Sequence, residues 1–324
     1  MRNTTSNFTS LELCAGAGGQ AIGLEQAGFR HEGLVEIEPQ FCETLRLNRP
    51  QWNVMQDDLR RFKEVSGRFK GVDLVAGGLP CPPFSVAGKQ LGSADERNLF
   101  PDALQVIDAV RPKAVMIENV RGFLDAVFED YRAFLRAQLL KLGYVTDWRL
   151  LNASDYGVSQ LRPRVVIVAI RKEFSDKFTW PEPLAKRPPT AGEALFELMS
   201  ANGWIGAEAW RDAANEIAPT IVGGSKKHGG PDLGPTRAKA AWRMLGVNGM
   251  TIAEEAPQSD FVGMPRLTVQ MVARLQGFPV NWKFAGKKTI AYRQVGNAFP
   301  PPVARAVAMQ LVQALKSSII VGGA

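Results

Sequence analysis

The chain has 324 residues, of which 45% are hydrophobic and 22% are charged, and this ordinary globular composition excludes collagen-like, coiled-coil and disordered chains. Its 39 basic and 32 acidic residues give a net charge of +7, which is compatible with a nucleic-acid partner. Three cysteines without CxxC spacing and two histidines exclude a disulfide scaffold or a zinc cluster. We therefore expect no metal.

Short β-type runs alternate with amphipathic helical patterns through the first 170 residues. Strands are predicted at Phe8–Cys14, Gly33–Glu36, Val72–Gly77, Ala114–Ile117 and Val165–Ile170. Helices are predicted between them at Gly19–Ala27, Phe41–Leu47, Leu99–Val110 and Tyr131–Leu142. This alternation predicts an α/β fold, a doubly wound parallel sheet with helices on both faces.

The pattern changes at the proline-rich stretches Trp180–Pro183 and Arg187–Pro189, which are typical of a linker. Up to about residue 265 glycine, tryptophan and basic residues dominate, and Pro302–Leu315 then predicts a helix with one buried face. We expect a first domain over 1–175, an inserted smaller domain over 176–283, and a C-terminal segment, 284–324, that returns to the first domain.

The segment Leu11–Gly19 reads as a strand, a glycine-rich turn and the start of a helix. Glycine lets a ligand approach the backbone, and Glu36, twenty positions after Gly16, is placed to take ribose hydroxyls. This pattern fits a nicotinamide cofactor and S-adenosylmethionine equally well, or a plain turn with a surface acid. Asp58 could bind an adenine amino group or cap a helix.

A cysteine follows the next predicted strand, in the loop Gly77–Ser85 with three prolines. In an open α/β sheet this edge carries the chemistry, so the Cys81 thiolate is a candidate nucleophile. Glu118 ends the following strand at the same edge and is a candidate general acid, or else a carboxylate paired with a nearby arginine. Glycines in the loop 84–99 are typical of a mobile lid.

Together these motifs resemble those of the DNA (cytosine-5)-methyltransferases of bacterial and phage restriction-modification systems. The motifs appear in the family's order: Cys14–Gly19, Pro80–Cys81, Glu118–Val120, Gln160–Arg164 with Asn152–Gly157 before it, Arg266–Thr268 with Ala273–Pro279, and Gln294–Asn297. The resemblance implies a Rossmann-like methyltransferase fold, S-adenosylmethionine as cofactor and S-adenosylhomocysteine as product. It also implies that the target base is flipped out of the duplex.

The resemblance assigns roles residue by residue. Cys81 would attack carbon 6 of cytosine and Glu118 would donate to ring N3, while Arg162 and Arg164 would hold the base and the cysteine loop. The implied cofactor-binding residues are Cys14, Ala15, Gly16, Gly18, Gly19, Glu36, Ile37, Asp58, Leu59, Pro80, Leu99 and Asn297. Ile37 stands where the family frequently has an aromatic residue.

Target recognition is expected within the inserted domain, where Ala218–Val222 resembles the family's threonine-aliphatic signature. Flexible glycines and basic residues there suit phosphate contact and base reading, although a solvated basic loop has the same composition. The predicted DNA contacts are Thr220, Lys226, Lys227, His228 and Arg237 in this domain, Ser85 in the cysteine loop, and Lys89 and Gln90 in the loop 84–99.

Three other functions fit part of the pattern. An RNA methyltransferase on the same core would carry a Cys-Phe-Thr signature, which this sequence lacks. A nicotinamide dehydrogenase leaves Cys81, Glu118 and the C-terminal motifs unexplained, and a non-catalytic DNA-binding relative would have lost the catalytic pair.

The expected partner is double-stranded DNA, with a cognate restriction endonuclease acting on the same site. We expect a monomer without a membrane span or signal peptide, located in the cytoplasm at the nucleoid.

Overall fold

The structure is a computed structural model that describes residues 8–62, 67–80, 98–224 and 230–316. It divides into two compact units. The first consists of Met1–Leu151, Pro163–Glu182 and Val303–Ala324, and the second of Asn152–Arg162 and Pro183–Pro302. Within the described residues, none of the helices has the length and apolar character needed to cross a membrane.

The first unit is built on a seven-stranded sheet with the strand order β3-β2-β1-β4-β5-β7-β6. Its strands are β1 (Thr9–Leu13), β2 (Arg30–Glu36), β3 (Val54–Gln56), β4 (Leu74–Gly78), β5 (Ala114–Val120), β6 (Tyr144–Asn152) and β7 (Pro163–Arg171). In this order, the five strands from β3 to β5 are parallel to one another. Their carboxyl ends therefore meet at one edge, where the glycine loop and Glu118 both lie.

The expectation of an entirely parallel sheet is wrong at β7, which runs antiparallel to β5. The reason is the length of the preceding connection. Only residues 153–162 separate β6 from β7, and a parallel crossover requires about a dozen residues or more. The sheet is therefore mixed.

Helices of this unit are α1 (Gly19–Gln26), α2 (Pro39–Asn48), α3 (Phe100–Val110), α4 (Glu129–Lys141), α5 (Lys172–Ser175) and α11 (Pro301–Lys316). The buried faces of α3 and α4 share one apolar cluster with alternate residues of the central strands, such as Val75, Val115 and Ile167. Successive strand residues point to opposite faces, so the intervening residues form a second buried face. Two buried faces explain why the central strands are almost continuously hydrophobic.

The predicted strands and helices of this unit are confirmed within a few residues, but β3 and β6 were not predicted. Both are edge strands. β3 has three residues, and most of β6 is at least partly exposed, with polar residues such as Arg149 along it. Edge strands of this kind lack the apolar run by which a buried strand is identified.

The second unit is mainly helical, with α6 (Ala191–Met199), α7 (Ala207–Ala213), α8 (Thr236–Met244), α9 (Val269–Leu275) and α10 (Lys288–Asn297). α6 begins with a capping box in which the Thr190 hydroxyl accepts from the N–H of Glu193 and the Glu193 carboxylate accepts from the N–H of Thr190. Trp210 of α7 is buried, and its Nε1 donates to the carbonyl of Leu245, 3.0 Å away.

Candidate active site

The glycine-rich loop after β1 is a tight turn that leads into α1. Cys14, Gly16 and Gly18 all have positive φ, at 53°, 57° and 88°. Glycine adopts this conformation without strain, whereas Cys14 adopts it at an energetic cost. A Cβ added at Gly16 would meet no atom within 4 Å, so there is open space in front of the loop for a ligand.

Glu36 lies at the end of β2 and links the glycine-rich loop to the segment that follows β2. Its Oε2 accepts from the N–H of Gly16 at 2.7 Å, and its Oε1 accepts from the N–H of Glu38 at 2.8 Å. Burial raises the pKa of Glu36, and the backbone donors partly oppose that shift. The carboxyl group is therefore held in one orientation beside the open space, and the side chain of Ile37 next to it is half exposed.

The Asp58 carboxylate is bound by Arg60, which was not among the predicted site residues. The Arg60 guanidinium donates to both carboxylate oxygens of Asp58, with Nη2 2.7 Å from Oδ2 and Nε 3.0 Å from Oδ1. This hydrogen bonding lowers the pKa of Asp58. A ligand amino group that binds Asp58 must therefore share or displace the Arg60 contact.

Glu118 lies at the carboxyl end of β5 and is buried, and Arg164 of β7 pairs with it. Arg164 Nε lies 2.8 Å from Glu118 Oε1, and their side chains are only 14% and 8% exposed. Gly78 stands opposite Glu118 in β4, and a Cβ added there would lie 3.7 Å from Glu118 Oε2. Two residues after Gly78 the described chain reaches Pro80, so the cysteine loop begins beside the Glu118 carboxyl group.

Arg162, in the second unit, has a fully buried guanidinium that binds backbone carbonyls. Nη1 donates to the carbonyl of Ile221 at 2.7 Å, and Nη2 donates to the carbonyls of Gly296 and Ala298 at 2.8 and 3.1 Å. Gln160 lies nearby, with its Oε1 accepting from the N–H of Ile221 at 2.9 Å. These side chains tie the segment around Ile221 to the end of α10.

The end of α10 also carries Asn297, whose Nδ2 donates to the carbonyl of Gly224 at 3.2 Å. The backbones approach closely here, since a Cβ at Gly223 would lie 2.5 Å from Asn297 Oδ1. The half-buried Thr220 donates from its hydroxyl to the carbonyl of Leu161. Asn297, a candidate cofactor residue, and Thr220, a candidate DNA residue, thus belong to one hydrogen-bonded cluster of the second unit.

The remaining candidates have less specific positions. Leu59 is buried in the apolar cluster of the first unit, Leu99 lies half-buried at the start of α3, and Pro80 is exposed. Arg237 is exposed on α8. Seven candidates lie outside the described residues, namely Cys81, Ser85, Lys89, Gln90, Lys226, Lys227 and His228. In the described part of the chain, no cluster of three His, Cys, Asp or Glu side chains could hold a metal ion.

Sequence reasoning missed Gly78, Arg60 and Gln160 as site residues. Gly78 could have been found from its position at the end of a predicted strand that leads into the cysteine loop. The Asp58–Arg60 spacing gave a weak signal, because such pairs are common on surfaces. Gln160 is part of a quoted motif, but its partners Ile221 and Gln276 are distant in sequence.

Comparisons with known proteins show which family the chain resembles. The family model for C-5 cytosine-specific DNA methylases matches residues 8–313. The chain is 56% identical to the type II methyltransferase M.NgoMIV of Neisseria gonorrhoeae, over 95% of this chain and 98% of that protein. It is 53% identical to the type II methyltransferase M.NaeI of Lentzea aerocolonigenes, over 94% of this chain and 75% of that protein.

Solved structures show the same fold. A putative DNA modification methyltransferase encoded within an Escherichia coli prophage has a TM-score of 0.67 at 21% identity, over 96% of this chain and all of that one. A mutant of Spodoptera frugiperda DNMT2 has a TM-score of 0.64 at 17% identity, over 94% of this chain and 99% of that one. With the family model covering almost the whole sequence, the chain belongs to the C-5 cytosine-specific DNA methylase family.

Proposed function

We propose that this enzyme methylates carbon 5 of cytosine within one short recurring sequence of double-stranded DNA, using S-adenosylmethionine. It would act as the modification enzyme of a type II restriction-modification system. The observation that carries the proposal is the buried Glu118, fixed by Arg164 beside the start of the cysteine loop. High identity to two type II methyltransferases supports the biological role.

The residues of the first unit fit S-adenosylmethionine. The open space at Gly16 would let the ligand lie close to the backbone. Glu36 would accept from ribose hydroxyls, and Ile37 would cover the adenine face. Asp58 would bind the adenine amino group once Arg60 releases it. In the second unit Asn297 is a further candidate. When bound, this cofactor supplies an electrophilic methyl group on a sulfonium.

The protein's own chemistry acts on the base. The Cys81 thiolate would form a bond to carbon 6, and the ring electrons would move toward N3, where the Glu118 carboxyl group, once it has taken up a proton, would donate. Carbon 5 thereby becomes nucleophilic enough to take the methyl group. Loss of the carbon 5 proton to a base would then expel the thiolate, and return of the N3 proton to Glu118 would restore the neutral aromatic ring. Since carbon 6 is stacked within a duplex, the base must first be flipped out.

We assign target recognition to the inserted region of residues 176–283 and catalysis to residues 1–175, with residues 284–324 completing the catalytic domain. DNA contacts are proposed for Thr220, Lys226, Lys227, His228 and Arg237, for Ser85 of the cysteine loop, and for Lys89 and Gln90 of the loop 84–99. The enzyme would work as a monomer on DNA in the cytoplasm, opposite an endonuclease that cuts the same sequence.

The experiment uses genomic DNA copied enzymatically with 5-fluorocytosine in place of cytosine. Fluorine at carbon 5 cannot leave as a cation, so elimination stops and the enzyme remains covalently attached. With S-adenosylmethionine present, we expect a protein–DNA adduct that survives denaturation and is absent in Cys81→Ala. The Cys42→Ala variant is the matched thiol control, because Cys42 is fully buried in α2. An adduct in Cys81→Ala would refute the assigned nucleophile.

A further inference from the structure

Helix α8 presents a continuous exposed face that carries two arginines and no acid. The exposed residues of this helix are Thr236, Arg237, Ala240, Ala241, Arg243 and Met244. At 3.6 residues per turn they fall within an arc of about 160°. The two arginines lie near opposite ends of this face, and the small side chains of two alanines lie between them.

The opposite side of α8 is firmly anchored within the second unit. Trp242 is fully buried, and the N–H of Val247 donates to its carbonyl at 3.0 Å. The next residue after the helix, Leu245, is held by Trp210 Nε1. At the start of the helix, Gly234 packs against Val222, since an added Cβ would lie 3.3 Å from Val222 Cγ2. The exposed face is therefore supported by a rigid scaffold, which recognition of a partner requires.

Charge on this face is left uncompensated. The nearby acid, Asp232, lies with its Oδ2 3.5 Å from Lys239 Nζ, and its Oδ1 accepts from the N–H of Gly234 at 2.8 Å. Neither Arg237 nor Arg243 forms an ion pair with any other described residue. A helix face with two guanidinium groups that have no acidic partner among the described residues complements a polyanion rather than the surface of another copy of this basic chain.

We propose that α8 enters the major groove of the substrate DNA and that Arg237 and Arg243 each read a guanine. This rests on the proposed function, and it assigns base reading to particular side chains. The major groove admits an α-helix, and bidentate arginine to guanine O6 and N7 is the commonest specific contact. Alanines 240 and 241 allow close approach to the base edges. Six residues of helix span about 9 Å, which matches two to three base steps at about 3.4 Å each.

The test expresses each variant in a host that lacks cytosine methylation of its own. Bisulfite sequencing of the host DNA then shows which sites each variant has methylated. Arg237→Lys and Arg243→Lys keep the charge but lose the bidentate fork. Each is expected to relax the preference for guanine at one position of the methylated sequence, by roughly 5- to 150-fold. The matched control is Arg305→Lys, an exposed arginine on α11, which should leave the site preference unchanged.

A second variant, Ala240→Glu, adds a negative charge to the same face of α8. We expect weaker binding to duplex host DNA, with thermal unfolding unchanged, because the residue is exposed and glutamate is a good helix former. A uniform loss of methylation in the arginine variants, without altered site preference, would overturn base reading in favour of phosphate contact. A changed oligomeric state with unchanged DNA binding would instead identify a second copy as the occupant.

This experiment separates failure of the proposed function from failure of guanine reading by α8. If the unmodified enzyme protects no cytosine, the proposed function fails, and this inference fails with it. If the enzyme protects one recurring sequence and all three α8 variants protect the same sequence equally well, the inference alone is refuted.

Discussion

Arg164 and Glu118 form a buried ion pair across the antiparallel pairing of β7 with β5, with Nε and Oε1 2.8 Å apart. The register pairs Val120 with Arg164 and Glu118 with Val166. Arg164 and Glu118 are therefore diagonal neighbours on one face of the sheet, within reach of a long side chain. The reversed direction of β7 thus brings a cation to the carboxyl group that we assign to catalysis.

Removing the cation from this pair should destabilise the protein strongly. Arg164→Ala leaves the Glu118 carboxylate buried without its partner, and we expect the free energy of unfolding in urea to fall by about 3–5 kcal/mol. The control is Arg30→Ala, which breaks the more exposed Arg30–Glu32 pair and should cost less than about 1 kcal/mol. Adding Glu118→Gln to Arg164→Ala should recover part of the loss; strictly additive effects would contradict coupling between the two groups.

A methyl group at Gly223 should disrupt the cluster around Asn297. The new Cβ would lie 2.5 Å from Asn297 Oδ1 and 2.7 Å from its backbone N, so the backbone must shift. We expect Gly223→Ala to lower stability by about 1–3 kcal/mol and to weaken binding of S-adenosylhomocysteine in calorimetry. Gly67→Ala, whose Cβ would meet nothing within 4 Å, is the control, and equal behaviour of both variants would refute the close approach.

The Arg60 contact with Asp58 predicts opposite effects of two substitutions on cofactor binding. Asp58→Ala removes the proposed partner of the adenine amino group and should weaken S-adenosylhomocysteine binding about tenfold, or about 1.4 kcal/mol. Arg60→Ala frees that carboxylate and should strengthen binding. Titration calorimetry measures both. Weaker binding in Arg60→Ala would show that Arg60 assists the ligand instead of competing with it.

Stability should depend on pH through His31, which is buried beneath α1. Its Nδ1 lies 2.9 Å from the Ser10 hydroxyl and its Nε2 3.0 Å from the carbonyl of Ala21. Burial lowers the pKa of His31 from 6.5 to about 4. Between these values the unfolded chain binds the extra proton, so the contribution of His31 to the free energy of unfolding should fall by about 3 kcal/mol as pH drops from 6.5 to 4.

Glu12 makes the opposite contribution and must be separated from this effect. Burial raises the pKa of Glu12 well above 4.5, so its contribution to stability is lost as pH rises above 4.5 toward the folded-state pKa. The slope of the unfolding free energy against pH between pH 4 and 6.5 should become steeper in Glu12→Gln and should reverse its sign in His31→Gln, where the Glu12 contribution remains. Urea unfolding between pH 4 and 6.5 measures this slope. An unchanged slope in His31→Gln would exclude His31 as the source of the pH dependence.

The sequence predicted most of the first unit because its signals are local. Buried strands appear as apolar runs, and the glycine turn with Glu36 follows from strand–turn–helix spacing. The structure places Glu36 beside this turn, where its carboxylate accepts from the N–H of Gly16. The predicted helix Pro302–Leu315 is likewise confirmed as Pro301–Lys316, since its apolar residues repeat at helical spacing.

Features that depend on distant partners could not be predicted from the sequence. Arg162 was assigned to the base and the cysteine loop, yet its guanidinium binds carbonyls 59 to 136 positions away. No local pattern shows which carbonyls a buried arginine will meet. The pairing of β7 with β5 likewise depends on a strand that is distant in sequence.

The most direct test of carbon 5 methylation through Cys81 is bisulfite sequencing of DNA from a host that lacks cytosine methylation. The host expresses the unmodified enzyme, Cys81→Ala or Cys42→Ala. We predict protected cytosines at one short recurring sequence with the unmodified enzyme and with Cys42→Ala, and none with Cys81→Ala. Protection that persists in Cys81→Ala, or no protected cytosine with folded unmodified enzyme, would contradict the account.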